Sequence, residues 1–264
     1  MSNQVPPHDT GTPVTPRPSA AVVLLRDGER GAEVFMVRRH VRSEFVPDVY
    51  VFPGGTVKGD DAETERAPGR CTPLSASEST ATALGTGFRV AALRECFEEA
   101  GVLLATRDGM PLAWTPDDAD RFAAYRQGLN DRTLGLGAIA ERERLELSTG
   151  ELLHWAHWIT PEAFPMRFDT HFFLAAMPHD QQAAHDQLET TASVWVTPEV
   201  ALDRFEQGDF PLVFATIHQL RALQGCASVA EARARFAGAE VRTIRPRVVT
   251  SDGVDSIIIP EEAD

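Results

Sequence analysis

"RECFEEAG", Arg94 to Gly101, sets three glutamates, Glu95, Glu98 and Glu99, on one short stretch. At about 100° per residue they share one sector of a helix, while Val90, Leu93, Phe97 and Ala100 form a narrow stripe about opposite. The pattern predicts an amphipathic helix with an acidic outer face, ended by Gly101. Like charges three or four residues apart destabilise a helix by about 0.2–0.5 kcal/mol per pair. The face is therefore either solvated or neutralised by a bound cation. Upstream, "FPGG", Phe52 to Gly55, is a turn whose glycines permit close backbone approach to a ligand. Three carboxylates beside such a turn make an oxygen donor set for a hard cation such as Mg²⁺, which commonly joins a few carboxylates to substrate phosphates.

The rest of the composition narrows the class. A chain of 264 residues with 43% hydrophobic content reads as one domain with embellishments over residues 19–264, after a disordered leader at 1–18. A net charge of -14 argues against a phosphate-backbone partner, so nucleic acid is excluded as a partner. Cys71, Cys96 and Cys226 form no CxxC pair, which points to neither a disulfide framework nor a thiolate zinc site. The leader lacks the basic start and apolar segment of a signal peptide, and no stretch reaches the roughly 18–20 apolar residues of a membrane helix. The expectation is a cytoplasmic protein without a membrane partner. Lys58 is the single lysine among 25 basic residues.

Along the chain, "AAVVLLR" (Ala20 to Arg26) and "EVFMVRR" (Glu33 to Arg39) predict a hairpin, and "VYVFPGG" (Val49 to Gly55) another strand. Ala62 to Gly87 has no apolar period and reads as a surface loop. "TPDDADRFAAYRQGL" carries a helix start, and a second helical run covers about Arg132 to Leu147, so that residues 114–147 form a helical insert. "ELLHWAHWITP", "RFDTHFFLAAM" and "TTASVWV" predict strands; "TPEVALDRFEQG" predicts a helix stopped by Gly208. Helices near Val213 to Leu223 and Val229 to Phe236, then strands near Val241 to Val249 and Val254 to Ile259, complete an extended C-terminal region. Irregular interleaving of strands and helices favours an α/β sandwich over a doubly wound sheet.

The chain resembles the Nudix hydrolases. Their box reads Gly, five residues, Glu, seven residues, then Arg-Glu-U-x-Glu-Glu-x-Gly-U, with U a bulky apolar residue. Here "GTVKGDD" runs from Gly55 to Asp61 and "RECFEEAGV" from Arg94 to Val102. The second half matches throughout with Cys96 as U. The first half differs in Asp61, which stands in place of Glu, and in a spacer of 32 residues, 25 more than the pattern's seven. A loop tolerates that, because each doubling of length costs only about 0.6 kcal/mol of closure entropy. The interrupted box is similar to the branch that includes a mammalian peroxisomal coenzyme A diphosphatase, whose "F-x-P-x-x-x-V-F-P-G-G" corresponds to "FVPDVYVFPGG", Phe45 to Gly55. "RFDTHFFLA" and "WVTPEVAL" are further similar segments.

The resemblance implies an α/β/α sandwich with a mixed sheet, and Mg²⁺ or Mn²⁺ held by Glu95, Glu98 and Glu99 with the Gly54 carbonyl. It implies that Arg94 pairs with acidic neighbours, Asp61 among them. It also implies hydrolysis of a pyrophosphate in a nucleoside diphosphate linked to another group, coenzyme A or acyl-coenzyme A first. ADP-ribose, NADH-like or dinucleotide substrates come next, and a nucleotide-sensing domain without catalysis is the alternative class. A homodimer is common in the family. Glu98, Glu99 and Arg94 would carry the chemistry, with Glu189 as general base ahead of Asp186 and His185. Arg38, Arg42 and Arg167 are the phosphate-binding candidates; adjacent strand residues face opposite sides, so only one of Arg38 and Arg39 reaches the site. His154 and His157, three apart on a predicted strand, are expected on opposite faces and outside any metal site.

Overall fold

The computed structural model describes residues 14–74, 84–186, 188–252 and 254–260. β1 (Arg17–Gly28) and β2 (Gly31–Arg39) form the expected antiparallel hairpin, with Leu25 opposite Val34. Along its other edge β1 runs parallel to β9 (Phe168–Ala176), from Arg17 opposite Phe168 to Leu25 opposite Ala176. A strand bonded on both edges and covered on both faces reads as a continuous apolar run, which explains "AAVVLL". Arg17 and Pro18, expected in the leader, are strand; residues 1–13 lie outside the described residues.

With β8 (Leu153–Ile159), β10 (Thr190–Val196) and β11 (Thr243–Ile244), the mixed sheet has the order β10-β2-β1-β9-β8-β11. The short strands β3 (Tyr50–Val51) and β4 (Gly54–Thr56) pair with β2 and β1. One face carries α1 (Gly59–Arg66), α2 (Phe88–Ala100), α3 (Pro116–Asn130) and α4 (Leu136–Glu143), packed through Leu93, Phe97, Phe122 and Ile139 onto Val22, Leu24 and Phe35. The other carries α5 (Pro198–Gln207), α6 (Phe214–Leu223) and α7 (Val229–Phe236), packed through Ala201, Leu220 and Ala232 onto Val23, Val34 and Met36. Each buried Leu or Phe contributes about 1.5–3 kcal/mol. The result is the expected α/β/α sandwich.

Several boundaries differ from the sequence reading. Residues 62–66, expected in a loop, are the last turns of α1, at whose start the Asp61 carboxylate accepts from Lys58 N. Residues 75–83 of that segment lie outside the described residues. The second helix of the insert is only α4; its expected end is β7 (Glu146–Leu147), which with β5 (Ala105–Arg107) and β6 (Met110–Pro111) makes a separate three-stranded sheet. The C-terminal strand near Val241 splits into β11 and β12 (Arg247–Ser251); β12 pairs with β13 (Val254–Ile258). Among the described residues no helix is long and apolar enough to cross a membrane.

The expectation for His154 and His157 is also corrected. Pairing of β8 with β9 shifts register between His154 and Ala156, which leaves Trp155 as the extra residue of a bulge. A bulge restores parity across a spacing of three. Both imidazoles therefore lie on one face and meet His171, with ring centroids 4.9 and 3.8 Å away.

Candidate active site

α2 is buried along nearly its whole length, and the acidic face expected to be outward is buried too: Glu95, Glu98 and Glu99 are each under 10% exposed. Their cover is the glycine turn and α1. Gly54 N donates to Glu99 Oε2 at 3.0 Å. A Cβ on Gly55 would lie 2.4 Å from Glu95 Oε1, and one on Gly54 would lie 2.6 Å from the Ala21 Cβ. Glycine lets the turn lie this close to α2 at Gly55 and to β1 at Gly54.

Arg94 is the hub. Its Nε donates to Asp61 Oδ1 at 2.9 Å, and Nη2 donates to Asp61 Oδ2 at 3.0 Å and to the Thr56 carbonyl at 2.8 Å. Nη1 donates to Glu95 Oε1 at 2.6 Å and to Glu98 Oε2 at 3.0 Å. All five guanidinium N–H groups are thereby used. Arg94 consequently has no donor left for a substrate. Asp61 Oδ2 also accepts from Lys58 N at 2.8 Å, and the Lys58 ammonium reaches Glu98 Oε1 at 3.4 Å.

Burial raises the Glu95 carboxyl to about 7, opposed by Arg94 and reinforced by the charge of Glu98. Burial likewise holds Glu99 well above the ordinary range, reinforced by Glu95 and opposed by the Gly54 N–H and Arg39. Four carboxylates, with Asp61, thus share this pocket with Arg94, Lys58 and Arg39. The cluster is short of positive charge, and its donors are oxygens only, which fits Mg²⁺ or Mn²⁺. A thiolate has no part here: burial pushes the Cys96 thiol up to about 12 and the Cys71 thiol up to about 11.

Strand alternation sorts the arginines. Arg39 shares its parity with Phe35 and Val37, which pack under α2, and its charge acts on Glu99. Its Nε is buried with no hydrogen-bond partner among the described residues. Arg38 faces the other layer, paired with Asp48 through Nε at 2.8 Å and set over the Tyr50 ring, so it leaves the list of phosphate ligands. Arg167 also leaves it: Nε and Nη1 donate to the Thr160 and Val14 carbonyls at 3.0 and 2.7 Å, tying down the start of the sheet. Arg42 lies exposed in the turn after β2.

Of the proton acceptors, Asp186 is committed to its own turn. It accepts from the amides of Leu188, Glu189 and Thr190 and from the Thr190 hydroxyl. His185 Nδ1 meets Ser193 Oγ at 3.1 Å. Glu189 is exposed, and its charge raises the Glu99 carboxyl, which places it beside the cluster.

Two contributors carried no sequence signal. Lys58 belongs to the box loop but has no specified role in the motif. Arg126, from α3, donates through Nε to the Glu98 carbonyl at 2.8 Å and through Nη2 to the Glu99 and Ala184 carbonyls at 3.0 and 2.9 Å. A cation there satisfies the open end of α2 and suits its dipole. Gly101, at φ 71°, leaves room for it, since a Cβ would stand 2.9 Å from Arg126 Nη1. The helical insert therefore braces the carboxylate helix rather than standing apart from it.

Residues 63–223 match the NUDT19 Nudix domain. The chain is 28% identical over 211 residues to putative nudix hydrolase 7 of Caenorhabditis elegans, covering 78% of this chain and 60% of that protein. It thus spans about three fifths of that relative's length. It is 27% identical over 279 residues to the acyl-coenzyme A diphosphatase NUDT19 of Gallus gallus, covering 78% of this chain and 72% of that protein. Among solved structures, a NUDIX hydrolase from Alicyclobacillus acidocaldarius superposes with a TM-score of 0.71 at 31% identity, covering 86% of this chain and 99% of that one.

Proposed function

This chain belongs to the Nudix hydrolases, in the family of the NUDT19 Nudix domain, and on that premise we propose that it is a divalent-metal-dependent pyrophosphohydrolase acting on coenzyme A or an acyl-coenzyme A. The observation that carries the chemistry is the buried set of Glu95, Glu98 and Glu99, oriented by Arg94 and short of positive charge. The names of the similar diphosphatases carry the substrate class.

Glu95, Glu98 and Glu99 would hold Mg²⁺ or Mn²⁺, with the Gly54 carbonyl as a further donor. Such an ion polarises phosphoryl oxygens and offsets charge on the leaving phosphate. Arg94 acts as a positioning residue, because its donors are all spent on Asp61, Thr56, Glu95 and Glu98. Arg39, with a guanidinium nitrogen unpaired near Glu99, binds a phosphate oxygen. Glu189 takes the proton of the attacking water as general base.

Mass detection of products tests this on a panel of coenzyme A, acyl-coenzyme A, ADP-ribose, NADH and diadenosine polyphosphates, with Mg²⁺ and with Mn²⁺. Release of 4'-phosphopantetheine and 3',5'-ADP is the expected result. Hydrolysis of ADP-ribose or a dinucleotide alone would keep the reaction and discard the coenzyme A class. Saturable binding without any product would replace the enzyme with a nucleotide-sensing domain.

A further inference from the structure

On the same face of the sheet, on β9 and β8 beyond β1, the Trp155 bulge gathers His154, His157, Asp169 and His171. His157 Nε2 lies 2.5 Å from Asp169 Oδ1, and His171 Nε2 lies 3.9 Å from the same oxygen. The ligand atoms of His157, Asp169 and His171 all fall within 4.8 Å of one another. We propose that His157, Asp169 and His171 form a second metal site, specific for a borderline divalent ion of the zinc class and separate from the carboxylate cluster on α2.

Three features point to an ion. First, the nitrogens not facing Asp169 are both engaged: His157 Nδ1 meets Thr243 Oγ1 at 2.9 Å, and His171 Nδ1 meets His154 Nε2 at 2.9 Å. Ligating histidines bond in this way through the far ring nitrogen, which selects the tautomer that leaves Nε2 free to ligate. Second, two imidazoles and one carboxylate select zinc-like ions, whereas oxygen-only sets select Mg²⁺. Third, the site is walled but open. His171 is 10% exposed beneath the edge of the Phe88 ring, His157 15%, and Asp169 34%, which leaves a solvent-side position for a fourth ligand. The rings of His157 and His171 stack at 13°, so binding requires them to splay by a side-chain rotation until both Nε2 lone pairs converge.

The ion would tie β8 to β9 and, through Thr243, to β11. Nothing in this assignment depends on the reaction catalysed at α2.

Co²⁺ titration of the full chain in excess Mg²⁺, which fills oxygen-only sites, reads the assignment directly. The expected result is one equivalent of Co²⁺ giving a visible absorption band and two paramagnetically shifted imidazole N–H proton signals. Asp169→Asn should weaken binding more than tenfold, Thr243→Val about tenfold, and Glu98→Gln not at all. Thermal melting checks that each variant is folded; Thr243→Val, a change behind the ligands, carries the test should Asp169→Asn fail to fold. Absence of Co²⁺ binding in Mg²⁺, absence of shifted imidazole protons, or affinity indifferent to both variants would overturn the assignment.

Discussion

Asp61 and Arg94, 33 positions apart in sequence, close a two-pronged ion pair at 2.9 and 3.0 Å with both side chains 1% exposed. Asp61 is one methylene shorter than the glutamate of the family's box, yet it reaches, because α1 turns it directly onto Arg94 while its Oδ2 also caps Lys58 N. Removing Asp61 leaves an Nε and an Nη2 donor of Arg94 buried and unpaired, although Glu95 and Glu98 still face its charge, and breaking a buried pair of this kind costs up to about 3–5 kcal/mol. Asp61→Ala should therefore lower the unfolding free energy obtained from urea denaturation by as much as that, and release Glu95 and Glu98 from register. A variant as stable as the parent would show that the pair is dispensable.

Glu98→Gln and Glu99→Gln should each reduce turnover by about 10² or more while leaving the fold intact, since a glutamine oxygen still accepts from Arg94 or Gly54 N. The companion measurement is the thermal shift produced by Mg²⁺, which should shrink in both. Turnover surviving both changes would remove the metal-dependent mechanism.

The opposite faces of Arg38 and Arg39 separate their effects. Arg39→Ala should raise KM about tenfold with little change in melting temperature, having lost a charged contact to phosphate. Arg38→Ala should leave KM alone, because its partners are Asp48 and Tyr50. Equal KM values for the two variants would contradict the strand parity.

Thiol chemistry should be suppressed. A Cys71 thiol at about 11 carries on the order of a hundredfold less thiolate near pH 8 than a free cysteine, and Cys96 at about 12 carries less still. The sign follows from burial, which disfavours the charged form. Alkylation of the folded protein should be slow at pH 8 and rise about tenfold per pH unit, and Cys96→Ala should retain turnover. Rapid inactivation by iodoacetamide at pH 8 would argue otherwise.

What was legible in the sequence was local. The "RECFEEAG" helix, the 20–39 hairpin and the Thr115, Thr197, Gly101 and Gly208 helix boundaries each sit within one contiguous pattern, and the structure keeps them. What was hidden depended on partners distant in sequence. Period along β2 shows that Arg38 and Arg39 diverge, but not which face α2 covers. The Trp155 bulge exists only as a mismatch between two strands, so the pairing of His154 and His157 on one face could not be read from "HWAHW". Arg126 looks like any surface arginine of a helix until the end of α2 lies against it. Helical periodicity gave the carboxylates one face but could not tell that the glycine turn buries it.

Lys58 is the only lysine of the chain, and its ammonium lies 3.4 Å from Glu98. Apart from the amino terminus, an acylating dye therefore has a single target, and that target borders the carboxylate cluster. The native polypeptide thus offers a single side-chain position for such a label without mutagenesis, and quenching or protection of the label at Lys58 would report occupancy of the neighbouring cleft in real time.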